Sequence, residues 1–307
     1  MIRLGIFAKT FVRPTVEDVF DAVKAHGIEC VQFNLACAGL PSIPDQIDPG
    51  ICDRIRTAAA QRGIQMAAVS GTFNMIDPNI QERREGLCRL RTLIGACSRI
   101  GTSIVTVCTG SRDRENMWRW HPDNASDEAW RDLLDSLSLA LQFAQDANVI
   151  LAFEPEFSNV VDSAAKARRL LDELRSPFLK VVIDPANLFH QGELPQMQRI
   201  LAKAFELLGE HIVVAHAKDL SGDGDAGHEA AGTGVLDYDS YLSLLNAAAF
   251  DGPLILHGLS EAQSPFCIDF LKRKLAVQSQ NGAGGLAKLD DSLPSSLPSF
   301  KQHGGVS

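Results

Sequence analysis

Basic charge is scarce in this chain. Lys and Arg number 29 against 38 Asp and Glu, a formal net charge of −9. Binding that runs mainly through a phosphate backbone needs basic patches, so no nucleic-acid partner is expected. No Cys-x-x-Cys occurs, and the seven cysteines (Cys30, Cys37, Cys52, Cys88, Cys97, Cys108 and Cys267) are odd in number. A disulfide framework is not expected at this size, and the cysteines read as buried free thiols of a reducing compartment. No apolar run approaches roughly 18 residues, so no membrane span is expected. The opening MIRLGIFAK reads as a strand and not as a signal-peptide core, and the expected location is cytoplasmic. No G-x-G-x-x-G follows the first strand-like run, which leaves a dinucleotide fold little support.

What the chain does contain is a regular alternation. Strand-like apolar runs stand at Ile2–Ala8, Glu29–Leu35, Ile64–Ser70, Ser103–Thr109, Val149–Glu154, Leu179–Asp184, Ile212–His216 and Pro253–His257. Helix-like stretches with apolar residues three and four apart separate them: Val16–Ala25, Ile51–Arg62, Gln81–Ile100, Glu128–Ala147, Ser163–Leu174, Pro195–Leu208, Tyr238–Ala249 and Pro265–Val277. Gly-containing steps at His26-Gly27, Arg62-Gly63 and Asp251-Gly252 fit capped helix ends before the next strand. Near-continuous apolar strands alternating with helices imply a parallel sheet buried on both faces. Eight such units predict a single-domain (β/α)8 TIM barrel over residues 1–277. Residues 278–307, with NGAGG, SLPSSLPSF and HGGVS, read as a flexible Gly/Ser/Pro-rich tail. An arm docking on a neighbouring subunit through Leu293, Leu297 and Phe300 is the alternative, which leaves room for a homo-oligomer.

The last four strand-like runs end in ionisable residues: Glu154, Asp184, His216 and His257. In an α/β barrel the C-terminal strand ends meet at one opening, where the chemistry sits. A Glu, an Asp and two His converging there make a hard or borderline divalent metal site. Glu154 suits a ligand or a base; a surface acid opening a loop is the plainer reading. Asp184, after five mostly apolar residues, needs a partner if buried, either a metal or a backbone or Arg contact. His216 and Lys218 share one face of a strand, so an imidazole and an ammonium point into one mouth. Lys218 then suits an anionic or oxyanionic substrate group. His257 fits a ligand, a base or a hydrogen-bonding partner.

Further candidates lie in the loops. Glu156 reads as a rim residue, and Asn187 could contact substrate hydroxyls. Asn74 lies in the polar SGTFN stretch after the third strand. Gly110–Asn124 carries Arg112, Arg114, Arg119, Trp118, Trp120 and His121. Of these, Arg112, Trp118 and His121 are expected at the substrate, as cations or stacking faces. Gly222–Gly234 reads as a mobile lid.

Glu154 in LAFEPE, Asp184 in VVIDPAN, HAKD at His216–Asp219, and GTGVLDYDSYLSLL followed by DGPLIL together resemble the sugar phosphate isomerase/epimerase family, the xylose-isomerase-like barrels. The resemblance covers roughly Ile2–Val277. It implies one divalent ion held by a Glu, an Asp, a His and a second Glu on strands five to eight. It also implies aldose–ketose isomerisation or ketose epimerisation through an enediolate, the two Glu moving the protons. The expected substrate is a sugar, a sugar phosphate or a related polyol. The apurinic-endonuclease branch shares the fold, but too few His fall at strand ends here for its cluster of metals. Two positions depart from the family pattern: His257 stands where the final Glu would be, and Asn187 where a His often follows the Asp. A His for a Glu leaves a less negative site, better suited to Mn²⁺, Co²⁺, Zn²⁺ or Fe²⁺ than to Mg²⁺. A dehydratase or lyase on a similar substrate, or a non-catalytic sugar-binding barrel, are the other readings. Catalytic roles are expected for Glu154, His257 and Lys218.

Overall fold

A computed structural model of the protein describes residues 2–223 and 227–286. Eight parallel strands form a closed barrel in chain order: β1 (Arg3–Phe7), β2 (Cys30–Phe33), β3 (Gln65–Ser70), β4 (Ile104–Cys108), β5 (Ile150–Glu154), β6 (Leu179–Ile183), β7 (Ile212–Ala217) and β8 (Pro253–Leu256). Closure comes from β1 pairing with β8 over Arg3↔Pro253 to Ile6↔Leu256. Eight helices wrap the outside: α1 (Val16–Ala25), α2 (Pro49–Gln61), α3 (Ile80–Ile100), α4 (Asp127–Ala147), α5 (Ala164–Leu174), α6 (Met197–Leu208), α7 (Tyr238–Ala247) and α8 (Ser264–Leu286).

The helices start where short polar side chains take up free N–H groups. Thr15, Asp48, Asn79, Ser126, Ser163 and Asp237 each accept from a backbone N–H in the first turn of the helix they precede. Gly27 and Gly63 take the left-handed conformation that ends α1 and α2. Gly252 does not. After α7 the left-handed residue is Ala249 (φ 53°), so the expected glycine cap there is absent. Most other helix limits fall within two residues of expectation, with two departures at α6 and α8. A 3-10 turn at Leu194–Gln196 precedes α6, and α8 passes Val277 to reach Leu286. Residues 287–307, most of the expected tail, lie outside the described residues, as do 224–226 of the expected lid.

Five cysteines (Cys30, Cys52, Cys97, Cys108 and Cys267) are buried and free. Cys37 is half-buried and Cys88 exposed, contrary to the expectation of burial for the set. Among the described residues no helix is long and apolar enough to cross a membrane.

The core has two compartments. The larger lies between sheet and helices and includes Phe11, Phe20, Phe33, Ile55, Leu90, Leu133, Phe153 and Tyr241. The smaller plugs the barrel interior with Cys30, Ala68, Ala152, Val182, Val214 and Ile255, Ile104 packing against them. These residues are mostly small because eight strands leave an interior just wide enough for side chains to fill. Gly5 on β1 completes the plug. A Cβ there would lie 2.6 Å from Ile255 Cδ1 and 2.9 Å from the Cys30 carbonyl oxygen. The backbone oxygen cannot swing away as a side chain can. Gly5→Ala is therefore expected to destabilise the protein by about 1–3 kcal/mol through overpacking. Each kcal/mol corresponds to a melting temperature lower by about 2–4 °C in chains approaching this length. A calorimetric melt of the variant with no downward shift would show that the plug yields more easily.

Candidate metal centre at the barrel mouth

Side chains alternate along a strand, so a residue two steps above the apolar plug also points inward. That step leads from Gly5 to Phe7, Cys30 to Gln32, Ala68 to Ser70 and Ile104 to Thr106. In the second half it leads from Ala152 to Glu154, Val182 to Asp184, Val214 to His216 and Ile255 to His257. The mouth thus has a floor of eight residues, one from each strand unit, staggered by the shear of the barrel. Above it opens a cavity of about 630 Å³, lined by every floor residue except the fully buried Asp184. A second cavity, of about 600 Å³, lies at the opposite end around Arg3, Met66, Ile104 and Pro253, and holds none of these groups.

Three floor residues bring their ligand atoms together. Glu154, Asp184 and His216 each offer one donor atom, all within 4.8 Å of one another. His216 Nδ1 lies 3.5 Å from Glu154 Oε2 and 3.6 Å from Asp184 Oδ2. Among the described residues, Asp184 Oδ2 and His216 Nδ1 are the buried side-chain polar atoms without a hydrogen-bond partner. A buried polar atom left unpaired is costly, so two facing each other beside a carboxylate mark a place for a cation. The donor set, two carboxylate oxygens and an imidazole nitrogen, fits a borderline divalent ion. His257, expected as fourth ligand, is not in this cluster. Its ring stands edge-on to His216, centroids 5.1 Å apart, and stacks on Phe7 at 5.2 Å.

Each of the three side chains is oriented by neighbours. Asp184 Oδ1 accepts from the Ala186 N–H at 3.1 Å, which leaves Oδ2 facing His216. Asn187 Nδ2 donates to Glu154 Oε1 at 2.7 Å, and Asn187 Oδ1 accepts from Lys218 Nζ at 2.9 Å. Lys218 Nζ is also 3.2 Å from Asp184 Oδ2, within ion-pair distance but off line for a hydrogen bond. Two glycines sheathe the Lys218 chain: a Cβ on Gly258 would lie 3.0 Å from its Cγ and Cδ, and one on Gly227 would lie 3.1 Å from its Cε. Strand β7 is fixed from behind by α7, where the Tyr241 hydroxyl donates to the His216 carbonyl and the Tyr238 hydroxyl to that of Lys218. Asp219 accepts from the N–H groups of Leu220, Gly232 and Leu236 and so ties down the loop between β7 and α7.

Burial and charge set the protonation tendencies. Burial is the largest influence on Glu154 and raises its pKa, with Asp184 adding to the rise and His216 and Lys218 opposing it. Burial would raise Asp184 too, but the Lys218 ammonium and His216 outweigh it and hold this carboxyl low. Glu156 is pushed up to about 8 by burial and by the charge of Glu154. Burial, with the nearby His216 and Lys218, drives His257 well below the usual imidazole range, so it is a neutral ring.

Of the expected substrate contacts, Trp118, Glu156 and Asn187 line the cavity. Asn74, Arg112 and His121 do not, and their side chains are committed elsewhere. Asn74 donates to the Ser111 carbonyl and accepts from the N–H groups of Ile76 and Ser111. His121 Nδ1 accepts from the Asp123 N–H and caps a 3-10 turn. Arg112 is buried, donating to the Ile76 carbonyl and to Asp132 Oδ2 at 2.6 Å, with Arg83 on the same carboxylate. Residues not anticipated from the sequence also line the cavity: Phe7, Lys9, Gln32, Asn34, Met117, Phe157 and His228. For Gln32 the signal was a polar residue inside the apolar run CVQF.

The sequence pattern of the xylose isomerase-like TIM barrel family matches residues 20–273, and the chain belongs to that family. An L-ribulose-5-phosphate 3-epimerase, UlaE, of Salmonella paratyphi C (strain RKS4594) is 26% identical over 164 residues, 53% of this chain and 55% of that protein. The chain thus spans about half the length of the curated relatives it matches. Among solved structures, an L-ribulose 3-epimerase superposes with a TM-score of 0.72 at 15% identity, covering 95% of this chain and all of the other. The IOLI protein, whose structure holds a zinc atom, superposes with a TM-score of 0.67 at 14% identity, covering 90% and 96%. Both likenesses are of fold.

The Asp132 pair yields a stability prediction. Asp132→Asn leaves Arg112 buried without its counter-charge and is expected to cost about 3 kcal/mol near neutral pH. Burial tends to raise the Asp132 pKa, but the hydrogen bonds from Arg112 and Arg83 outweigh it and lower it below the usual value. A carboxyl depressed by folding contributes stability above its unfolded pKa of about 4, and that contribution fades as pH falls through the folded value. The gap between parent and variant should therefore be widest near neutral pH and shrink in acid. Urea titrations at several pH values would expose a constant gap, which would mean that the charge of Asp132 is not what matters.

Proposed function

We propose that the protein is a metal-dependent epimerase or isomerase of a ketose, a ketose phosphate or a related polyol, working by proton transfer next to a carbonyl through an enediolate. The observation that carries this is the facing pair of buried atoms without a hydrogen bond, Asp184 Oδ2 and His216 Nδ1, beside Glu154 Oε2 at the mouth of a barrel of this family. The curated relatives, which are L-ribulose-5-phosphate 3-epimerases, support the reaction class.

Glu154, Asp184 and His216 would hold one divalent ion, with Mn²⁺, Co²⁺, Zn²⁺ or Fe²⁺ favoured over Mg²⁺ by the imidazole. Such an ion would act as a Lewis acid on substrate oxygens. Glu154 is the base. Its Oε1 is anchored by Asn187, and its burial raises proton affinity towards what abstraction from carbon requires. Epimerisation returns a proton to the opposite face of the carbon and needs a second group. His257, just beyond β8 and lining the cavity, stands in place of a second carboxylate; because burial keeps the ring neutral, it has to take up a proton through the cavity before it can deliver one. Lys218 offsets carboxylate charge at Asp184 and presents remaining ammonium donors to a developing oxyanion. Trp118, half-exposed at the rim, gives a sugar an apolar face to lie against. Glu156 and Asn187 complete the polar wall.

Two measurements test this. Mn²⁺, Co²⁺ or Zn²⁺ added to chelator-treated protein is expected to bind at about one ion per chain and raise its melting temperature. An ion at a hundred times its Kd stabilises by about 2.7 kcal/mol. No uptake and no thermal shift with any of them would remove the metal centre. With metal in excess, Glu154→Gln should lose roughly two to four powers of ten in turnover. The assay is solvent deuterium incorporation across a panel of ketoses and their phosphates. Incorporation at the parental rate would exclude Glu154 as the base, and no incorporation by the parent on any member would turn the reading towards a binding protein.

A further inference from the structure

Gln32 lies across the barrel from the ionisable half of the floor. It is buried on β2, and its side chain crosses the interior to β7, where its Oε1 sits 2.9 Å from His216 Nε2. The other end of the amide is fixed. Gln32 Nε2 donates to Thr106 Oγ1 at 3.1 Å and to Ser70 Oγ at 3.2 Å. With its N–H₂ end turned to two hydroxyls, Gln32 presents its carbonyl oxygen to the imidazole, and an oxygen there can only accept. The ring must then carry its proton on Nε2. In the neutral ring the lone pair is then on Nδ1, the atom that faces Glu154 and Asp184.

We infer that Gln32 is a positioning residue that selects the Nε2–H tautomer of His216 and so keeps Nδ1 free as a metal donor. Ser70 and Thr106 hold the far end of the amide. The inference rests on the reading of Glu154, Asp184 and His216 as a metal centre and adds a residue outside the ligand set. Partners of this kind around a ligating His commonly change metal affinity by about 10- to 100-fold when removed.

The test uses the full-length chain, treated with chelator, and Mn²⁺ as the probe. Gln32→Leu keeps the bulk but removes the acceptor, and should weaken Mn²⁺ binding by about 10- to 100-fold in calorimetric titration. Gln32→Glu restores an acceptor for Nε2–H, and its other oxygen can accept from the two hydroxyls, which are free to rotate. Its Kd should return to within a few-fold of the parent. A role in packing alone would not distinguish Leu from Glu in this direction. Nitrogen-15 spectra of the metal-free parent, with His216 assigned through His216→Gln, should show a protonated Nε2. An Nε2 without a proton, an unchanged Kd in Gln32→Leu, or a Gln32→Glu as weak as Gln32→Leu would each overturn the assignment. Should Gln32→Leu fail to fold, Gln32→Glu and the parent spectrum decide. Parent protein that takes up no Mn²⁺ defeats the metal reading instead, and the spectrum alone then judges Gln32.

Discussion

The mouth depends on one pairing, that of β1 with β8. An open sheet of eight strands would keep β2 far from β7. Closure brings them to opposite walls of a space only a side chain or two wide, and Gln32 spans it to His216. The same closure sets Phe7 of β1 against His257 just beyond β8, and His257 against His216. The halves of the floor are chemically unlike. The first four units contribute Phe7, Gln32, Ser70 and Thr106, which carry no charge; the last four contribute Glu154, Asp184, His216 and His257. The neutral half orients and walls the ionisable half, and neither could do so without the ring being closed.

Below this floor the plug is apolar and tightly filled, so water is excluded from beneath the acids. That dryness raises the cost of the buried Asp184 carboxylate, and the structure meets it with one ammonium. Lys218 is sheathed by Gly227 and Gly258 and therefore has little freedom to leave. Its charge lies close to Asp184 directly and reaches Glu154 through Asn187. Two loops meet on this one side chain, that between β7 and α7 through Gly227 and that after β8 through Gly258. Loop backbone thus packs on this lysine from two sides.

Much of this was legible in the sequence because it follows from periodicity. Eight apolar runs with ionisable ends at Glu154, Asp184, His216 and His257 specify a barrel and the half of its mouth that carries charge. The misreadings have a common physical source. Arg112, His121 and Asn74 are polar residues in mouth loops, and position alone suggested the substrate. Loops of this length have many unpaired backbone groups of their own, and these three side chains satisfy them or, for Arg112, neutralise Asp132 on α4. Which use a loop side chain serves depends on contacts between distant segments, which spacing does not encode. Gln32 was overlooked for the opposite reason. It is uncharged and sits inside a strand, and its importance arises from a partner 184 positions away.

The two departures from the family pattern differ in physical weight. A neutral imidazole after Asp184 would offer one donor and one acceptor. Asn187 offers the same pair at the same step, donating to Glu154 and accepting from Lys218, so the bridge between carboxyl and ammonium needs no histidine. His257 for a carboxylate is not equivalent. It removes a negative charge from a buried site in which Lys218 is the neighbouring cation of Asp184, and burial keeps the replacing ring neutral. It also gives that wall an aromatic face, which stacks on Phe7 and abuts His216 instead of reaching towards the carboxylates. The ligand cluster accordingly closes with three side chains, and the fourth strand end turns from charge to ring packing. The three-residue cluster thus adjoins the open cavity, which Glu154 and His216 line.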